Sequence, residues 1–238
     1  VKILTVSDAH LIDPAVGAWS DFESLLRRTD AGLVVLNGDI FDFLVGRQRK
    51  ALLRYRPILE LLEEVVADRP IVYLQGNHDF HLARALPAGV QVEDQFEFDD
   101  GALRTRWQHG DLVLPDVGYR VLRGVLRSRV VRLLTEGLPP ALVWSLATTW
   151  SDGSRRAGGE PSPAEVAARM PLALRAMGPA ARRLITGHLH VPWEGRSDDG
   201  RHWISLGDWL RGRWILESEG ERAVMRRWTG EAPQGMPK

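Results

Sequence analysis

Three short runs of aliphatic and β-branched residues, at 1–6, 33–36 and 71–74, each end on polar residues: Ser7-Asp8, Asn37-Gly38 and Gln75-Gly76. Apolar runs this short, closed by turn residues, read as buried strands. Between them, apolar side chains recur at helical spacing. Phe22, Leu25 and Leu26 share a face of residues 21–30, and Leu52, Leu53, Ile58, Leu59, Leu62, Val65 and Val66 mark a helix over 47–68 with a kink expected at Pro57. Strand, helix, strand, helix, strand in that order predicts an α/β layered fold.

The pattern changes after residue 90. Short strands are expected over 90–108, with a turn at Asp99-Asp100-Gly101. Residues 118–134 predict one amphipathic helix, with Leu122, Val125, Leu126, Val130 and Leu133 on one face and Arg120, Arg123 and Arg127 on another. Pro139-Pro140 opens a second apolar helical run over 141–150, and 151–163 reads as a Gly, Ser, Arg and Pro loop. Strands return at 183–186, 203–206, 214–217 and 223–228, before a frayed tail after Thr229. The division that follows is a core over 1–114 and 161–238, interrupted by a helical insertion over 115–160.

Composition excludes several classes. The 238 residues include no cysteine, which removes disulfides, thiolate metal sites and a cysteine nucleophile. Thirty-one basic residues balance 31 acidic ones, so charge gives no reason to expect a nucleic-acid partner. No run approaches the roughly 18 apolar residues of a membrane span. A cytoplasmic chain is expected, with membrane contact at most peripheral.

The unusual chemistry is concentrated in five segments: Ser7-Asp8-Ala9-His10, Gly38-Asp39-Ile40-Phe41-Asp42, Gly76-Asn77-His78-Asp79, His109-Gly110-Asp111 and Gly187-His188-Leu189-His190. Each follows a strand-like run, and ligands of open α/β sheets bind beyond the carboxyl ends of the strands. Imidazole nitrogen with carboxylate and amide oxygen suits manganese, iron, zinc or magnesium. Asp8, His10, Asp39, Asn77, His109, His188 and His190 make seven candidate ligands, too many for one tetrahedral ion and about right for two ions sharing a carboxylate. His81 and His202 fall outside these positions; His202 reads as structural and His81 as a weak substrate candidate.

In order and spacing the five segments resemble the calcineurin-like metallophosphoesterases, and the resemblance runs from residue 1 to about 228, apart from the insertion. It implies a four-layer α/β/β/α sandwich and two divalent ions, manganese first among those named. It further implies that Asp8, His10 and His190 hold one ion, that Asn77, His109 and His188 hold the other, and that Asp39 bridges them. His78, oriented by Asp79, would assist at phosphorus or at the leaving oxygen, with Asp42 standing behind the ligands. Gly38-Asp39-Ile40-Phe41-Asp42-Phe43, Gly76-Asn77-His78-Asp79-Phe80 and Leu206-Gly207-Asp208-Trp209 are similar to the branch that splits UDP-2,3-diacylglucosamine in lipid A synthesis. So is the stretch with Asp116, Tyr119, Arg120 and Leu138-Pro139. That likeness implies an acylated UDP-sugar substrate bound with Asn77 and Tyr119 and a lid that grips acyl chains. Arg120, Arg123 and Arg127 in this basic insertion would meet a phosphate or anionic lipid head groups, and Trp144 and Trp150 a lipid interface or the inner membrane surface; the alternative is a helical hairpin that only packs on the core, with its arginines in water. His78, where part of this branch carries arginine, keeps a general phosphodiesterase or phosphatase as the alternative.

Overall fold

A computed structural model describes residues 1–12, 17–113, 117–138 and 159–230. Strands β1 (Ile3–Val6), β2 (Leu33–Leu36) and β4 (Ile71–Leu74) lie parallel, as their apolar runs predict. With β6 (Gln91–Glu93), β12 (Trp214–Glu219) and β13 (Arg222–Arg227) they form a six-stranded sheet in the order β13-β12-β1-β2-β4-β6. A second sheet takes the order β10-β11-β9-β8-β7, from β7 (Gln95–Asp99), β8 (Arg104–Gln108), β9 (Arg183–Thr186), β10 (Trp193–Arg196) and β11 (His202–Ser205). Leu44–Val45 (β3) and Asp79–Phe80 (β5) pair as a small parallel ribbon.

The period-2 alternation of strand side chains sorts the core into layers. Ile3, Leu33, Val35, Val72 and Leu74 point between the sheets and meet Trp107, Ile185 and Ile204. Leu4, Val6, Val34, Leu36, Ile71 and Tyr73 point the other way, onto α1 (Gly17–Arg28) and α3 (Arg56–Asp68) through Phe22, Leu25, Leu26, Ile58, Leu61 and Leu62. On the far face of the second sheet, Leu184 and Trp203 pack against α6 (Pro163–Ala167) and α7 (Met170–Met177). The result is the expected four-layer α/β/β/α sandwich.

Several expectations are corrected. Residues 47–68 form two helices, α2 (Arg49–Arg54) and α3, parted at Tyr55; Pro57 lies in the first turn of α3, where its missing N–H costs nothing. Residues 118–134 likewise divide into α4 (Val117–Leu126) and α5 (Arg129–Gly137). Pro163 opens a helix rather than closing a loop, because Ser162 and Glu165 form a reciprocal capping box. A short helix, α8 (Trp209–Gly212), is capped by Asp208, whose side chain accepts from the Arg211 N–H. The expected helix over 141–150, with Trp144 and Trp150, lies outside the described residues, as do Asp116 and Pro139-Pro140.

Candidate metal centre

The carboxyl ends of β1, β2, β4, β8 and β9 bring the five polar segments to one rim, and backbone hydrogen bonds lock them together. The Asp8 N–H donates to the Gly38 carbonyl (3.1 Å), His10 N–H to Asp39 (2.9 Å) and Gly187 N–H to His109 (2.8 Å). Side chains add to this: His188 N–H donates to Asp8 Oδ2 (2.9 Å) and His78 N–H to Asp39 Oδ1 (2.9 Å). Asp8, His10, Asp39, His188 and His190 all have positive φ, between 41° and 66°. Five non-glycine residues in this sparsely populated region, gathered at one place, mark a site whose geometry the surrounding hydrogen bonds impose. Gly76 allows a close approach of two backbones, since a Cβ there would lie 2.5 Å from the Asp39 backbone nitrogen.

Three overlapping groups of donor atoms result: Asp8, His10 and His190; His10, Asp39 and His78; and Asp39, His109 and His188. Asp39 and His10 are each shared by two of them. Asn77 joins the last group through its Oδ1, 3.0 Å from His109 Nε2. The seven residues chosen from sequence thus converge, and His78 comes with them; its ring lies 4.9 Å from that of His10.

The electrostatics fit a cation at this place. His109 Nδ1 faces the Asn37 carbonyl at 3.0 Å, so this nitrogen carries the proton and Nε2 is left toward the rim. There Nε2 faces two acceptors, Asn77 Oδ1 and Asp39 Oδ2 (3.4 Å). Burial opposes a charge on His109, but Asp39, Asp8 and Asp111 outweigh it and push its pKa up to about 10. Burial instead drives His10 down to about 3 and, with cationic His109 beside it, His188 to about 4. Asp39 is held well below the carboxylate range, burial being overcome by His109, His78 and His10. Asp8 Oδ1 and His10 Nε2 are buried with no hydrogen-bond partner among the described residues, although His190 Nε2 lies 3.2 Å from Asp8 Oδ1. Buried lone pairs aimed at one another are costly unless something positive sits between them.

Asp79 plays a different part from the one expected. Its carboxylate accepts the backbone N–H groups of Asp39, Ile40, Phe41 and Gly76 and the Tyr73 hydroxyl, tying the loop after β2 to the loop after β4. Burial, then repulsion from Asp39, raises its pKa to about 7. His78 is oriented instead by the Asp42 carbonyl, which faces its Nδ1 at 2.9 Å. Asp42 also stands behind His10, with Oδ1 4.0 Å from its Nδ1. The parts of Tyr73 and of the Asn37 and Asp42 carbonyls had no sequence signal, because they depend on long-range placement or on backbone atoms.

The expected phosphate contacts divide. Arg120 is exposed. The Tyr119 ring lies 6.3 Å from that of His188, but its hydroxyl donates to Asp111 Oδ2 (3.1 Å). Arg123 pairs with the same carboxylate, and Arg127 reaches Asp94 and the carbonyls of Gln75 and Gly76. Trp150 falls outside the described residues. His81 turns its Nε2 to the Leu126 carbonyl (3.3 Å), and His202 pairs with Glu194 at 3.2 Å.

A rim that collects carboxylate, amide and imidazole donors from both sheets, with their lone pairs facing one another, is suited to hold divalent metal, as metal-dependent hydrolases of phosphoesters do. Residues 1–192 match the calcineurin-like phosphoesterase family, and the chain belongs to it. Among its relatives, a protein of Pseudomonas aeruginosa named UDP-2,3-diacylglucosamine hydrolase is 31% identical over 234 residues, covering 91% of this chain and 95% of its own. A protein of the same name from Ralstonia nicotianae is 29% identical over 227 residues, covering 87% of this chain and 83% of its own. The solved structure of Yfce, a phosphoesterase from E. coli, shares the fold with a TM-score of 0.51 at 13% identity, covering 96% of this chain and all of that one.

Proposed function

We propose that the chain hydrolyses the pyrophosphate of UDP-2,3-diacylglucosamine to UMP and 2,3-diacylglucosamine 1-phosphate. The observation that carries this reading is the reversed polarity of α4 beside the donor cluster. Tyr119, Arg123 and Arg127 turn inward, while Val121 and Val125 are 62% and 55% exposed. Leu122, and Val130 and Leu133 on α5, are exposed too. An exposed run of large aliphatic side chains marks a surface for an apolar ligand. Each acyl CH₂ it covers contributes about 0.8 kcal/mol, so two chains would dominate affinity. The relatives named for this substrate, matched over about nine-tenths of the chain, support the same reading.

Asp8, His10 and His190 would hold one divalent ion and Asn77, His109 and His188 the other, with Asp39 shared; manganese is the ion proposed among the several this donor set suits. Bound ions supply Lewis acidity to the phosphoryl oxygens and to the attacking water. The Asp42 carbonyl holds His78 with its proton on Nδ1, which leaves the Nε2 lone pair free to take a proton from solvent and, as the imidazolium, to pass it to the leaving oxygen. Asn77 and Arg120 would orient the phosphates, while the Tyr119 hydroxyl is engaged by Asp111. No helix among the described residues is long and apolar enough to cross a membrane. The apolar face with Arg120 suits peripheral contact with anionic lipid from the cytoplasmic side.

His78 favours a second reading, a phosphodiesterase acting on smaller esters, because an imidazole acid helps most with a poor leaving group. Product analysis separates the two. The purified chain, Mn²⁺ and UDP-2,3-diacylglucosamine should release UMP and the acylated sugar 1-phosphate, and chelator should abolish the release. Hydrolysis of a simple phosphodiester with no release from the lipid would transfer the chain to the second reading.

A further inference from the structure

Tyr119, Arg123 and Arg127 stand at i, i+4 and i+8, one face of a helix. Arg127 continues α4, its N–H donating to the Arg123 carbonyl at 3.0 Å. This face meets two of the ligand segments. Tyr119 and Arg123 converge on Asp111, which is nearly fully buried and two residues beyond His109. Arg127 donates from Nη2 to the Gln75 carbonyl (3.0 Å) and the Gly76 carbonyl (2.9 Å), and from Nη1 to Asp94. Asp94 also accepts the Gln75 side-chain amide at 3.1 Å, so the cation is clamped from both sides.

The Gly76 carbonyl belongs to the planar peptide unit that continues into Asn77. Fixing two successive carbonyls from one guanidinium fixes that plane and, with it, the direction in which Asn77 leaves the backbone. Asp79 holds the N–H side of Gly76, and the guanidinium constrains its carbonyl side. The Arg127 side chain is 12% exposed and both its terminal nitrogens are engaged within the protein. That makes it a poor phosphate reader and a good brace.

We infer that Arg127 is a positioning residue that sets Asn77 for one of the two metal sites, with Arg123 and Tyr119 bracing the His109 segment through Asp111. The insertion thereby governs metal loading as well as substrate contact. This rests on the two-ion reading above, and the test keeps the two apart. Groups that orient metal ligands typically change metal affinity by about 10–100-fold when removed.

The experiment is Mn²⁺ titration of the chelator-stripped protein by calorimetry, with electron paramagnetic resonance of the loaded samples. Wild type should show two binding steps and the signal of a coupled ion pair. Arg127→Ala should weaken one step by about 10–100-fold, keep the other within about twofold and give the signal of a single ion. Arg127→Lys, which keeps one donor to the carbonyls, should recover part of the lost step. With saturating Mn²⁺, kcat of Arg127→Ala should recover while KM stays near wild type. Wild-type protein binding fewer than two ions would sink the two-ion reading itself. Two unchanged steps in Arg127→Ala with a raised KM would overturn the inference alone and return Arg127 to phosphate binding. Loss of both steps would overturn it too, since Arg127 is assigned to the Asn77 side only.

Discussion

Replacing Gly76 by alanine tests how tightly the rim is built. A Cβ there would lie 2.5 Å from the Asp39 backbone nitrogen and 2.8 Å from its Cγ, and would also meet its Oδ1. Gly76 has no positive φ, so the substitution adds steric pressure without backbone strain. Neither partner can step aside freely. The Gly76 N–H donates to the Asp79 carbonyl (3.0 Å) and to Asp79 Oδ1 (2.9 Å), and the Asp39 N–H donates to the same Oδ1 (3.0 Å). Reaching ordinary contact requires Asp39 to retreat by about 1 Å, a displacement that costs about 10²-fold in rate when it moves a reacting geometry. Overpacking of this kind also costs about 1–3 kcal/mol of stability, and each kcal/mol lowers Tm by about 2–4 °C at this chain length. The assay is kcat/KM with Mn²⁺ alongside a thermal melt and metal content. Gly124→Ala serves as the stability control: its Cβ meets nothing within 4 Å, so it should raise stability by about 0.5–1 kcal/mol. Full activity and full metal content in Gly76→Ala would refute the reasoning.

Three further outcomes are expected. Asp39→Ala or His188→Ala should remove turnover while far-ultraviolet dichroism stays native; unchanged kcat in either would defeat the two-ion assignment. In metal-free protein His109 has a raised pKa, so its cation contributes stability fully below pH ~6.5. That contribution is lost as pH rises toward about 10. Tm of the stripped protein should fall across that window and Mn²⁺ should flatten the fall, because the ion takes the place of the Nε2 proton; a flat profile without metal would count against the His109 placement. Val125→Asp or Leu133→Asp should raise KM for long-chain lipid substrate by an order of magnitude or more and leave a small phosphodiester unaffected; equal losses on both would make α4 and α5 purely structural.

The donor rim was legible from sequence because its information is local. Each ligand lies within a few residues of a strand end, and Asp-x-His or His-x-His at such an end leaves few directions in which to point. The layered fold followed from the same short apolar runs. The face that α4 buries was not legible. Amphipathic reasoning turns apolar side chains inward, but Arg123 and Arg127 find buried polar partners 12 and 51 residues away in sequence, at Asp111 and Gly76. The role of Asp79 was hidden in the same way, since four of its five donors are backbone N–H groups. The helix at 163–167 did leave a sequence trace, the Ser162-x-x-Glu165 capping pattern beside Pro163.

The most direct test of the account is anomalous diffraction from crystals of the chelator-stripped chain reloaded with Mn²⁺. The account requires two peaks about 3.5–4 Å apart on either side of the Asp39 carboxylate, one among Asp8, His10 and His190 and the other among Asn77, His109 and His188. A single peak held by His10, Asp39 and His78, the competing cluster at the same rim, would contradict it.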